Sequence, residues 1–125
     1  SSKCEDKDTT LIFDLDNISL EGTEAIAHYK SGIIDSLTLN IYGETGQSKM
    51  SYLFYKDCIC VSEKRYKYLK DLLHVKSDKD IFPKDSARYA LNYKGKLIEG
   101  DTLDASIGIF EEIYKKIPFN INNED

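Results

Sequence analysis

The chain has 125 residues, with 17 Lys+Arg against 22 Asp+Glu, so its formal net charge is −5. That length makes one domain with a sizeable core, and a composition of 41% hydrophobic and 31% charged residues argues against intrinsic disorder. No apolar run reaches the ~18 residues of a membrane span, and the acidic balance removes the positive field on which nonspecific nucleic-acid binders rely.

Residues 1–9, which open Ser-Ser-Lys-Cys-Glu-Asp-Lys-Asp, read as a flexible polar lead. A single domain over 10–118 follows, then a polar C-terminal tail over 119–125. Thr10 to Asp14 is a short β-prone run, and Glu24 to Lys30 leads into a turn at Ser31-Gly32. From Ile33 to Tyr42 the pattern alternates, with Leu37, Leu39 and Ile41 on one side and Ser36, Thr38 and Asn40 on the other. That period of two is a half-buried strand. Gly43-Glu-Thr-Gly46 supplies a hairpin turn, and Ser48 to Tyr55 alternates again, placing Met50, Tyr52 and Phe54 on one face. Lys56-Asp57 turns the chain into Cys58 to Tyr68.

Residues 69–85 break this rhythm. Leu69, Leu72 and Leu73 make at most a helical turn, and Lys76 to Asp80 with Pro83 reads as a solvated connection. Strand character returns over Ala87 to Tyr93 and, after Lys94-Gly95, over Lys96 to Glu99. From Leu103 the period changes: Leu103, Ile107, Phe110, Tyr114 and Ile117 mark one face of an amphipathic helix. Asp101 or Thr102 can cap it, Lys115 and Lys116 suit its C-terminal dipole, and Pro118 stops it. The expected fold is α+β, an antiparallel β-meander of about six strands packed on one C-terminal helix. A repeat of turn chemistry supports the hairpins: His28-Tyr-Lys-Ser-Gly-Ile-Ile34, Phe54-Tyr-Lys-Asp-Cys-Ile-Cys60 and Asn92-Tyr-Lys-Gly-Lys-Leu-Ile98 share Tyr-Lys, a short turn and then aliphatic residues.

Chemistry-bearing motifs are sparse. Leu11-Ile-Phe-Asp14-Leu-Asp16-Asn17 resembles the nucleophile loop of haloacid-dehalogenase-type phosphatases. That resemblance implies Asp14 as nucleophile and Asp16 as acid/base beside Mg²⁺. Against it, Ile18 stands where the family has Thr, and hairpins follow where parallel βαβ units are needed. Lys76, Asp78 and Asp80 are the nearest counterparts of the family's later motifs. Cys4, Cys58 and Cys60 form no C-x-x-C pair, and His28 and His74 lack zinc-ligand spacing. No metal or cofactor is therefore expected. A Cys58–Cys60 bond would strain a strand, whereas Cys4 with Cys58 or Cys60 is geometrically easier; the alternative is three thiols, with Cys58 and Cys60 acting as small apolar residues. His28, beside Tyr29 on a strand, reads as a hydrogen-bonded structural histidine.

Glu63-Lys64-Arg65-Tyr66-Lys67-Tyr68 is basic and carries interleaved tyrosines. In a strand, Lys64, Tyr66 and Tyr68 share one face while Arg65 and Lys67 share the other, so lysine stems covering tyrosines are one account. A recognition surface is the other, and its residues would be Tyr52, Arg65, Tyr66 and Tyr68, with Lys64 and Lys67 at the rim.

Several of these segments together, from Ser19-Leu-Glu-Gly-Thr-Glu24 through Ile41-Tyr-Gly-Glu-Thr-Gly46 to Arg88-Tyr-Ala-Leu-Asn-Tyr-Lys-Gly-Lys-Leu-Ile98, resemble a group of small uncharacterised secreted or periplasmic bacterial proteins with Tyr-x-x-Gly hairpins. Cys58 departs from that pattern where a turn Gly is expected. The resemblance implies an exported antiparallel-sheet domain, periplasmic or extracellular. An N terminus without Met agrees with that, and Lys3 before Cys4 disfavours a lipid anchor. The expected role is that of a noncatalytic cell-envelope or secreted binding module of the inhibitor or immunity-protein kind. Its partner would be another protein or a glycan, not nucleic acid. The rival readings are the phosphatase and a structural envelope component.

Overall fold

The structure, a computed structural model, describes residues 8–15, 18, 22–43, 46–68, 81–102 and 106–122. Its elements in chain order are β1 (Asp8–Asp14), β2 (Thr23–Lys30), β3 (Ile33–Tyr42), β4 (Gly46–Phe54), β5 (Ile59–Tyr68), β6 (Ile81–Leu91), β7 (Leu97–Gly100) and α1 (Ser106–Lys116). Each strand pairs antiparallel with its neighbours in sequence, so one sheet runs β1-β2-β3-β4-β5-β6-β7. The fold is an antiparallel α+β meander with one helix, and it has seven strands where about six were expected.

Period-two alternation explains which face is buried. Ala25, Ala27 and Tyr29 of β2, Leu37 and Leu39 of β3, Met50 and Tyr52 of β4, Ile59 and Val61 of β5, and Tyr89 and Leu91 of β6 all point inward. They form one cluster with Phe110, Ile113 and Ile117 of α1. Each of these large apolar side chains contributes about 1.5–3 kcal/mol by leaving water. The β2–β3 hairpin closes through Ser31 and Gly32, both at positive φ (52° and 82°), the backbone that matches strand twist in a two-residue turn.

Four expectations change. The buried helix face is Phe110, Ile113 and Ile117, while Tyr114 is 62% exposed; its ring instead stacks on Phe119 at 5.6 Å from outside the core. Strand β6 begins at Ile81, six residues before the expected Ala87. Pro83 is tolerated because β7 pairs only with Tyr89–Leu91, leaving that stretch of β6 without a second neighbour among the described strands. Residues 119–122 are not a free polar tail: Phe119 and Ile121 pack against the core. Ile34 N donates to Phe119 O (2.8 Å) and Ile121 N to Gly32 O (2.7 Å). At the other terminus, Asp8 and Thr9 already belong to β1, and residues 1–7 lie outside the described residues.

Two bulges carry charged residues. His28 pairs with Ser36 but Tyr29 with Ile34, leaving Asp35 as an extra residue of β3. Arg65 pairs with Asp85 but Tyr66 with Pro83, leaving Lys84 as an extra residue of β6. Bulges re-aim side chains out of the regular ladder. The meander also gathers alternate turns, so the three Tyr-Lys turns, after β2, β4 and β6, all lie at one end of the sheet.

Candidate functional site

The structure separates the six residues expected to form a recognition surface. Tyr52 is a correction, because it is fully buried. It stands between Leu37 and Val61 on the inward row, with its ring 6.4 Å from that of Phe110. Burial, followed by the neighbouring Tyr89 and Glu63, pushes its phenol well above the ordinary range. Tyr68 is likewise buried, at 6% exposure. Arg65 belongs to the inward row opposite Ser48, and its Nε donates to Glu63 Oε2 at 3.0 Å. Glu63 is 1% exposed, so this guanidinium first serves a buried carboxylate rather than a partner. Lys67 is exposed on the same side of the strand by alternation.

Lys64 and Tyr66 do face outward, and the register brings new residues to them. Lys64 lies directly opposite Lys49, and both are exposed. Tyr66 lies opposite Gln47, which in turn faces Tyr42. Two hollows flank the Tyr66 ring. One, of about 230 Å³, lies towards Tyr42, Gln47 and Lys84; the other, of about 260 Å³, lies between Lys64, Pro83, Lys84 and Asp85. Lys84, re-aimed by the β6 bulge, lines both. Among the described residues, Lys49, Lys64 and Lys84 make no ion pair. Asp85 is the described carboxylate that lines these hollows, and Glu24, on the same outward row as Lys49, accepts a hydrogen bond from Asn40 Nδ2 (3.4 Å).

Like charges placed directly opposite across strands are destabilising. Here they stand beside a half-buried aromatic ring on a chain whose net charge is −5. The arrangement can hold an anionic group between ammonium groups, with the Tyr66 hydroxyl as a further polar contact. Lys49 and Lys84 escaped sequence reasoning because only the strand register sets Lys49 opposite Lys64 and only the bulge brings Lys84 beside Tyr66; no local pattern marks them.

The remaining candidates are dispersed. Asp14 ends β1, exposed and opposite Glu24, while Asp16, Lys76, Asp78 and Asp80 lie outside the described residues. The sheet is antiparallel throughout, whereas the phosphatase loop stands on a parallel one. Cys58 and Cys60 are free thiols, and Cys4, the expected partner of either, lies outside the described residues. Desolvation, then Cys60, Asp57 and Glu99, pushes the Cys58 thiol up, which makes it a weak nucleophile at neutral pH. His28 Nδ1 is hydrogen-bonded to Thr10 Oγ1 at 2.9 Å, the structural role expected for it. Among the described residues no group of three or more His, Cys, Asp and Glu could hold a metal ion, and no helix is long and apolar enough to cross a membrane. Comparison with protein-family models, with curated proteins and with solved structures finds no match.

Proposed function

We propose that this chain is an exported, noncatalytic binding module, and that the Lys49–Lys64–Tyr66–Lys84 patch docks the acidic face of another protein. The observation that carries this reading is the Lys49–Lys64 pair, a like-charge juxtaposition that opposes folding and is relieved by an anionic partner. Tyr66 adds a ring with an apolar body and a polar tip, the side-chain type that anchors recognition surfaces. Inhibitors and immunity proteins are the kind of small exported domain this description fits. An anionic glycan would meet the same chemistry and is the alternative occupant.

The test is a pull-down from envelope and secreted fractions with the wild-type domain and with the double variant Lys49→Glu/Lys64→Glu. One stoichiometric protein retained by the wild type at moderate salt and lost by the variant supports the reading. Equal retention by both, or capture of nothing, removes it. In parallel, hydrolysis of a generic phosphate ester with Mg²⁺ is expected to be the same for wild type and Asp14→Asn. A rate that falls with this substitution would restore the phosphatase.

A further inference from the structure

The end of the sheet that carries the three Tyr-Lys turns, away from the lysine patch, holds a cavity of about 450 Å³. Its apolar wall is Phe54, Tyr93 and Phe119. The ring centroids lie 5.0 Å apart for Phe54 and Phe119, and 6.4 Å for Tyr93 with each of the other two. This wall is fixed from behind. Phe119 O accepts from Ile34 N, Tyr29 OH donates to Pro118 O at 2.7 Å, and Tyr93 OH donates to Tyr55 O.

The rest of the lining is charged. Lys30 and Lys56, the lysines of two of the repeated turns, line the cavity together with Asp35. Asp35 is the bulged residue of β3, lifted out of the regular ladder. Among the described residues neither lysine pairs with Asp35 or with any other acid. Two ammonium groups and a carboxylate thus line one aromatic-walled cavity without neutralising each other. Such a site complements a molecule that carries a ring, an anion and a cation together. A neutral aromatic leaves all three charges unused, and a dicarboxylate meets Asp35 with the wrong sign.

We propose that this cavity binds an aromatic α-amino acid. Its carboxylate is held by Lys30 and Lys56, its ammonium by Asp35, and its ring by Phe54, Tyr93 and Phe119. The volume lies within the range of small-molecule sites, which starts at about 300 Å³. This binding is independent of the lysine patch at the opposite end.

The test is a titration of the ¹⁵N-labelled wild-type chain, followed by amide shifts, with L-phenylalanine, N-acetyl-L-phenylalanine and L-phenylalaninamide. Each ligand is taken to about 10 mM, enough to fill a site of millimolar affinity. L-Phenylalanine is expected to give saturable shifts at Gly32, Cys58 and Tyr93. The acetylated compound, which lacks the ammonium, and the amide, which lacks the carboxylate, are each expected to bind about tenfold more weakly or worse. Asp35→Asn should erase the preference for L-phenylalanine over its acetylated form, and Lys30→Met/Lys56→Met should erase the preference over the amide. Lys49→Glu/Lys64→Glu should leave all three titrations unchanged, so loss of the patch and loss of the cavity are told apart. Absence of saturable shifts in the folded wild type, or equal binding of the three compounds, overturns the proposal.

Discussion

Lys64→Glu should make the protein more stable and a worse binder at the same time. Residues directly opposite across an antiparallel pair have Cβ atoms roughly 5 Å apart, and the flexible stems of Lys49 and Lys64 let their amines retreat to roughly 7 Å. In water, two like unit charges at that distance repel by about 0.6 kcal/mol. Charge reversal turns the repulsion into attraction of similar size, a swing of about 1 kcal/mol. At physiological ionic strength the Debye length of about 8 Å reduces the gain to about 0.5 kcal/mol. Urea denaturation reads this directly: with a slope of about 1–3 kcal/mol per molar, the midpoint should rise by a few tenths of a molar. In about 1 M salt, where the Debye length is about 3 Å, the gain should vanish. A loss of stability, or a gain of the same size in high salt, would refute the reasoning. A loss would mean that the lysine stems stabilise the sheet by covering the neighbouring tyrosine more than their charges oppose it; a salt-independent gain would mean that charge is not its source.

Three further substitutions or conditions probe the frame around the two sites. Arg65→Met leaves the buried Glu63 carboxylate without its guanidinium and should cost about 3 kcal/mol, or about 10 °C in Tm. Adding Glu63→Leu should recover most of that, and a Tm unmoved by Arg65→Met would show that Glu63 does not depend on it. A Cβ at Gly46 would collide with the backbone oxygen of Tyr66, so Gly46→Ala should destabilise by about 1–3 kcal/mol in urea titration; an unchanged midpoint would mean that β4 and β5 can part there at no cost. Tyr52 has its phenol pKa raised by burial above the ordinary 10.0. The unfolded chain therefore loses this proton first as pH rises, and the stability held below about pH 10 should fall above it. Tyr52→Phe should flatten part of that decline, and a stability curve flat from about pH 9 to 11 in the wild type would contradict the assignment.

The strands were legible wherever one face met the core and the other met water. Leu37, Leu39, Met50 and Tyr52 alternate with polar residues, and the structure buries that set. The first half of β6 was not legible, because Pro83, Lys84 and Asp85 carry turn chemistry that a bulge on a partly unpaired strand can absorb. The helix was found but its face was rotated: Tyr114 and Ile113 are adjacent, and a tyrosine suits either the core or its margin. The same ambiguity hid the fate of Tyr52 and Tyr68, whose rings satisfy a core as readily as a binding surface. Of the candidate patch, Lys64 and Tyr66 followed from strand period alone. Lys49 and Lys84 did not, because cross-strand proximity is set by register and by one inserted residue rather than by local sequence.

The contrast between the sheet's pairing and the route of its last residues bears on how the chain is made. Every strand finds its partner in the segment just before it, so hairpins can close one after another as the polypeptide emerges. The cover for the inward face arrives after the last strand of the sheet. Tyr29 waits for Pro118, 89 residues later, and Ser31 for Asn122, 91 residues later. During synthesis, Tyr29, Leu39 and Tyr52 therefore stay without their helix until α1 and the segment after it emerge. In that interval the inward face of the sheet is exposed apolar surface, and it closes only when residues 118–122 latch onto the β2–β3 hairpin.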